Sequence, residues 1–373
     1  LKKVLSLLLL VMTIALVTGG YFVFERYSEN PEQILPYPYS FVESAPSLKL
    51  DAPILIAGDR MGLYFSKFST VLADTISQSL AKPIKIQSIA KAGHGLHRTL
   101  HELKSLTQWP QILIFQGASE EFFETKFIPS EIPKIKENFK LYNDDRIETF
   151  LILYPWLSRF FYGPVKRVSL GPTPVVEDKI SEEMFLRRLE TELMLFKQQL
   201  IELVSLSKNH NTLLILTTTP INLDESPRKV CEFTRTTEID AEILGIRDLL
   251  KANNPKMAYT KSSKLITQYS GNAELMYIHG QVAKRLRNLD VAKNALLQAS
   301  AYDCEPWRAT ELQNSIIRKV AKEHQVLLFD FARLVEKDFA VNTTFFDEIH
   351  PQNLYYDAGM NQLGLVIKSI LKL

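Results

Sequence analysis

From Leu50 onward, short apolar runs alternate with amphipathic stretches. Ile54–Ala57, Ile112–Phe115 and Leu213–Leu216 are unbroken runs of the length of buried strands. Ile84–Ile89 alternates apolar and polar residues at period two, and Val326–Phe329 supplies a fifth strand. Between them, Phe65–Leu80 and Phe185–Leu206 repeat apolar residues at helical spacing. Strands alternating with helices predict right-handed crossovers. The expected fold is a three-layer α/β sandwich around a parallel five-stranded sheet. Ligands of such sheets bind beyond the carboxyl ends of the strands.

The N-terminal pattern is different. Lys2 and Lys3 precede an apolar run from Val4 to Phe24, closed by Glu25 and Arg26. A helix rising ~1.5 Å per residue needs about 20 apolar residues to cross a bilayer, and this run suffices. A cleaved signal peptide is the alternative, but Val17-Thr18-Gly19-Gly20 matches its cleavage site poorly. Residues 1–24 therefore read as an uncleaved transmembrane anchor. The paired lysines favour a cytoplasmic N-terminus, with the C-terminal domain in a bacterial periplasm. Residues 25–49 carry Pro31, Pro36, Pro38 and Pro46 and read as a stiff linker. Residues 50–373 are the folded domain.

Composition narrows the partners. The 44 Lys+Arg and 42 Asp+Glu leave a net charge of +2, so nothing points to nucleic acid. The hydrophobic fraction of 46% is that of a chain with a sizeable core.

The strand ends gather the candidate chemistry. Gly58-Asp59-Arg60 follows the first, Ala92-Gly93-His94-Gly95 the second, Gly117-Ala118-Ser119-Glu120 the third, and Thr217-Thr218-Thr219-Pro220 the fourth. Beyond the fifth, "FFDEIHPQNLYYDAGMNQLG" holds Asp347 and His350. This order of Gly-Asp-x, Gly, Gly-x-x-Glu and Asp-x-x-His-Pro resembles the SGNH (GDSL) hydrolases, over roughly residues 51–126, 195–223 and 305–373. The resemblance implies an esterase-class site acting on an ester-bearing envelope glycan or lipid. Asp347 and His350 match two members of a Ser-His-Asp triad, and Gly93 matches a glycine of the oxyanion hole. Two positions depart. Arg60 stands where the family's nucleophilic serine would be, and Ser119 stands at its oxyanion asparagine.

A permanently protonated guanidinium cannot attack a carbonyl. Ser119 remains as a substitute nucleophile, with Asp59, Gly117 and Glu120 beside it. Three readings follow. One is a pseudoenzyme that binds the ligand without a conventional serine. The second is an active esterase or acyl transferase using Ser119 or water with His350 and Asp347. The third is an interaction scaffold. Asp347 and His350 could also be a retained structural hydrogen bond. No cofactor is implied.

Two insertions interrupt the domain. Residues 127–183 include Tyr154, Trp156, Phe160, Phe161 and Tyr162, a ligand rim or a small core. Residues 231–310 are helical, and about 272–305 resemble one tetratricopeptide repeat, with Gly280, Ala292 and Ala299 at its small-residue positions and Leu296 at a large one. A lone repeat must pack on the main domain, as a side-arm or a site for a protein partner. His94, His97 and His101 share a face if a helix follows Gly93, but no fourth ligand accompanies them and no metal site is assigned. Cys231 and Cys304 bracket much of the second insertion, paired or as two thiols.

Overall fold

A computed structural model of the chain describes residues 2–28, 39–41, 49–78, 83–122, 126–154, 157–162, 166–168, 180–341 and 344–371. The chain divides into two compact units, one of residues 1–43 and 127–170, the other of residues 44–126 and 171–373.

Among the described residues, the larger unit holds a five-stranded parallel sheet. Its strands are β1 (Ile54–Gly58), β2 (Ile86–Ser88), β3 (Ile112–Gln116), β4 (Leu213–Thr217) and β5 (Leu327–Phe329), in the order β2-β1-β3-β4-β5. Ile54 lies opposite both Ile86 and Ile112, Ile112 opposite Leu213, and Ile215 opposite Leu327. The winding direction reverses between β1 and β3, which opens a crevice at their carboxyl ends.

The helices of this unit are α1 (Arg60–Ser66), α2 (Ser69–Ser77), α3 (Leu96–Lys104), α4 (Glu182–Asn209), α5 (Thr237–Lys251), α6 (Pro255–Gln268), α7 (Ala273–Arg285), α8 (Leu289–Ala301), α9 (Glu311–Glu323), α10 (Phe331–Glu336) and α11 (Asn353–Leu371). Strand side chains alternate between faces at period two. Leu55, Ala57, Leu113, Phe115, Leu214 and Leu216 pack with Leu100 of α3, Phe196 and Leu203 of α4, and Ile317 of α9. Ile54, Ile56, Ile112, Ile114 and Ile215 pack on the other face with Phe65 of α1, Leu72 of α2, Val335 of α10, and Tyr356 and Met360 of α11. Helices thus cover both faces, as the alternating pattern predicts.

The helix expected over Phe65–Leu80 differs. It begins at Arg60, because Asp59 caps it, and breaks at Lys67–Phe68. There Lys67 N and Phe68 N donate to carbonyls three residues back, at 3.1 Å each, and the Phe68 ring stacks on Tyr356 at 4.9 Å. The tightened turn seats that ring in the core and restarts the helix at Ser69.

The second insertion exceeds its sequence reading. Instead of one hairpin it contains two, α5–α6 and α7–α8, joined through a core of Ile239, Ile243, Ile246, Ala258, Leu265, Leu275, Ile278 and Val282. Their turns match at a spacing of about 34 residues, the tetratricopeptide period. Asn253 (φ 55°) corresponds to Arg287 (φ 60°), Asn254 to Asn288, and Ala258 to Ala292. A Cβ on Gly280 would come within 2.6 Å of Leu296 Cγ and 3.2 Å of the Ala292 carbonyl oxygen, so α7 and α8 touch where small residues were expected. Cys231 and Cys304 form a disulfide, Cα atoms 5.2 Å apart and 73 residues apart in sequence, around all four helices. Closing a loop of that length stabilises the fold by roughly 4 kcal/mol in the chain-entropy account.

In the smaller unit a helix spans Lys2–Ser28, and the described side chains of residues 8–21 include exposed Leu8, Leu10, Leu16 and Val17. No helix among the described residues is long and apolar enough to cross a membrane, so the anchor rests on the sequence pattern alone. Pro31, Pro36, Pro38 and Pro46 of the linker lie outside the described residues. The first insertion adds helices Ile132–Tyr142, Asp145–Leu153 and Ser158–Tyr162, and Lys166–Val168 pairs in parallel with Tyr39–Phe41. Its aromatic residues do not share one environment. Tyr162 is buried, Phe160 is exposed, and Trp156 lies outside the described residues.

Candidate functional site

Asp59 follows β1 at the crevice. Its Oδ1 accepts from Met61 N at 2.8 Å and so caps α1. Its Oδ2 accepts from Ser119 N at 2.6 Å, Ser119 Oγ at 2.8 Å and Glu120 N at 3.1 Å. One buried carboxylate therefore ties the end of β1 to the loop after β3. Burial, and then the neighbouring Glu120 charge, push the Asp59 carboxyl up to about 7, against the pull of those hydrogen bonds. Ala118, just before Ser119, has φ 86°, a conformation that L-residues rarely adopt. Such strain persists where surrounding structure over-determines it, and here the Asp59 contacts do so.

Glu120 closes the crevice. Its Oε2 accepts from Gly93 N at 2.5 Å and Arg60 N at 3.1 Å, and its Oε1 lies 3.0 Å from Arg60 Nε. The Glu120 side chain is 3% exposed and that of Arg60 43%. Two backbone amides and a guanidinium converge on one carboxylate. Converging backbone amides are how acyl-transfer sites hold an oxyanion. In this chain the protein's own carboxylate takes them. Glu121 continues the pattern, accepting from Leu96 N at 2.8 Å at the start of α3 and pairing with Lys126.

The Asp347–His350 block stands apart. His350 Nδ1 lies 2.8 Å from Asp347 Oδ2. Asp347 Oδ1 also accepts from His350 N at 2.6 Å and Ile349 N at 2.9 Å. Burial works to raise the Asp347 carboxyl, but these hydrogen bonds outweigh it and hold the group below the usual carboxylate range. Asn222 Nδ2 donates to the Asp347 carbonyl oxygen at 3.1 Å, and Arg228 pairs with Glu348 at 2.8 Å, fixing the loop from outside. The imidazole lies 4.5 Å from the Tyr64 ring and stacks on Phe346 at 5.7 Å. His350 Nε2 is buried and has no hydrogen-bond partner among the described residues.

The structure thus brings together Asp59, Arg60, Gly93, Ser119 and Glu120. Gly117 joins them through its carbonyl, which accepts from Thr219 Oγ1 at 2.5 Å and links the loops after β3 and β4. Asp347 and His350 pair with each other. Tyr64, one helical turn after Arg60 on α1, brings their block against that helix. Among the described residues no hydrogen bond joins His350 to Ser119, whose hydroxyl is committed to Asp59. Tyr64 is absent from the sequence reading, and Ala118, part of the third strand-end loop there, carries no sign in the sequence of its strained backbone. The four-residue spacing from Arg60 to Tyr64 was the available signal for the first.

The three histidines do not share a helix face as expected. The helix begins at Leu96, so His94 precedes it, with its Nδ1 3.7 Å from Glu102 Oε1. Among the described residues, no group of three or more His, Cys, Asp or Glu side chains could hold a metal ion.

No protein-family model and no curated protein matches the sequence. A solved structure from Bacteroides fragilis, described as that of "a putative acylhydrolase", is similar at 11% identity with a TM-score of 0.34, covering 93% of this chain and 94% of that one. A likeness of that size adds no argument to the geometry above.

Proposed function

We propose that this chain is a membrane-tethered, extracytoplasmic protein whose SGNH-like domain binds an ester-bearing envelope glycan or lipid without hydrolysing it. The observation that carries the reading is Glu120. Its carboxylate holds the amides of Arg60 and Gly93, and the Arg60 side chain covers it, where a hydrolase needs a free anion hole and an oxygen nucleophile. The Val4–Phe24 run supports the tether. The Cys231–Cys304 disulfide supports an oxidising compartment.

The test is hydrolysis of acetyl and butyryl esters by the wild type, Arg60→Ser, Arg60→Ser with Ser119→Asn, and that pair with Glu120→Ala. Each is assayed with and without His350→Ala. The expected result is no His350-dependent turnover in the wild type, little in Arg60→Ser, and the most in the triple variant, where the two amides are uncovered. A second reading draws on the intact Asp347–His350 pair, whose Nε2 has no partner among the described residues. It is an active esterase or acyl transferase that uses Ser119 or water. Clear wild-type turnover that vanishes in His350→Ala would establish that second reading and end the first.

A further inference from the structure

The helical insertion contributes Gln281, Lys284, Arg285, Arg287 and Leu289 to the lining of a cavity of about 540 Å³, which Asp224 and Ala340 complete. Its volume is that of a small-molecule site. Its charge is unlike that of the chain, whose net is +2 over 373 residues. Three cations face one carboxylate. Lys284 Nζ lies 2.6 Å from Asp224 Oδ1, which neutralises that pair. Tyr277 Oη donates to the Asp224 carbonyl oxygen at 2.6 Å and helps fix the acid's position. Arg285 and Arg287 have no ion-pair partner among the described residues. The cavity therefore carries two guanidiniums, both on exposed residues, that are available to a ligand.

The turn between the two helices places Arg287 at the cavity. Arg287 occupies the left-handed position of the α7–α8 turn, at φ 60°. The equivalent position of the preceding hairpin is Asn253, a residue that tolerates this conformation better. An arginine gains nothing locally from standing in that turn, and its charge ends up in the cavity wall.

We propose that this cavity binds a dianionic phosphate monoester, through Arg285 and Arg287 with Gln281 as a neutral donor. A guanidinium fork matches phosphate oxygens with paired hydrogen bonds, and two of them match the charge of a dianion. Leu289 and Ala340 give the rest of the ligand an apolar margin. The phosphate is carried either by a soluble metabolite or by a lipid headgroup.

Calorimetric titration of the full chain in low salt separates the sources. The probes are inorganic phosphate, glycerol 3-phosphate, and phosphatidylcholine vesicles with and without phosphatidic acid. Arg285→Gln with Arg287→Gln is the test variant. Lys256→Gln with Lys264→Gln removes as much charge from exposed positions outside the cavity, and circular dichroism verifies that both variants are folded. The expected result is saturable binding of glycerol 3-phosphate or of the phosphatidic acid vesicles, weakened at least tenfold in the arginine variant and within twofold of wild type in the lysine variant. Preference for one of those probes identifies the source. Three outcomes overturn the proposal: no binding of any phosphate probe at millimolar concentration, equal loss in the two variants, or succinate binding as tightly as glycerol 3-phosphate.

Discussion

The two halves of the candidate site treat their polar groups in opposite ways. Around Asp59, Arg60, Gly93 and Glu120, donors and acceptors are spent on one another inside the crevice. Around Asp347 and His350, the carboxylate holds the imidazole through Nδ1, and the buried Nε2 of the ring has no hydrogen-bond partner among the described residues. A proton relay needs both an oriented base and a group to deprotonate. In this chain a carboxylate holds the imidazole, while Glu120 lies on the amides of Arg60 and Gly93. A histidine–aspartate pair alone therefore does not establish a relay.

The strongest way to break this contrast is at the glycines of the closed half. Gly58 has φ 143°, and a Cβ there would lie 1.8 Å from the Gln116 carbonyl oxygen. Gly58→Ala should cost about 4 kcal/mol or more, because backbone rather than a side chain must move. Gly93 has φ 80° but open space around it, so Gly93→Ala should cost only the local strain, about 1–2 kcal/mol. Urea denaturation of the two variants measures the difference. Equal costs would mean that β1 and β3 are not in close contact.

Removing the carboxylate comes next. Glu120→Ala leaves the amides of Arg60 and Gly93 without their acceptor and should cost about 1–3 kcal/mol. Arg60→Gln should cost less, about 1 kcal/mol or below, since its head group is substantially exposed and screened. If the arginine change proves the more costly, the ion pair holds the crevice shut and the backbone hydrogen bonds do not.

Asp59 supplies a pH signature. Its folded value of about 7 lies above the ordinary 3.8, so between those values the folded protein keeps a proton that the unfolded chain releases. Stability contributed by this group is present at low pH, falls as pH rises through that window, and levels off above it. Asp59→Asn should flatten the slope of the urea midpoint between pH 4 and 7, whatever it does to the midpoint itself. An unchanged slope would mean that the hydrogen bonds, rather than burial, set the charge state of Asp59.

The smallest effect is expected in the other half. His350→Ala removes ring packing on Tyr64 and Phe346 and should cost about 1 kcal/mol or less. A larger loss would make the Asp347–His350 pair a structural clasp.

Much of the scaffold was legible because apolar periodicity reports burial directly. Ile54, Ile112 and Leu213 begin strands that the sequence alone locates. The α1–α2 break was not legible. It depends on Phe68 meeting Tyr356, nearly three hundred residues away along the chain, and no local pattern encodes that contact. The first hairpin of the insertion was missed for another reason. Its turn, Asn253-Asn254, matches Arg287-Asn288 more in backbone shape than in residue type. At the site, the residues of the strand-end loops were found because parallel sheets deliver them to one rim. No sequence pattern gives Arg60 a partner, and the fold brings Glu120 to it. Whether Cys231 met Cys304 was equally undecided by sequence separation, and the fold brings them together.

That disulfide alters what a cut in the chain means. Its two cysteines enclose both hairpins, so a protease that nicks the array anywhere between them leaves one covalent molecule. Such a nicked protein migrates at full mass until a reductant is added, when it separates into two fragments. Damage to the arm is thereby hidden from any assay that measures only intact size, and the basic cavity it carries stays leashed to the domain.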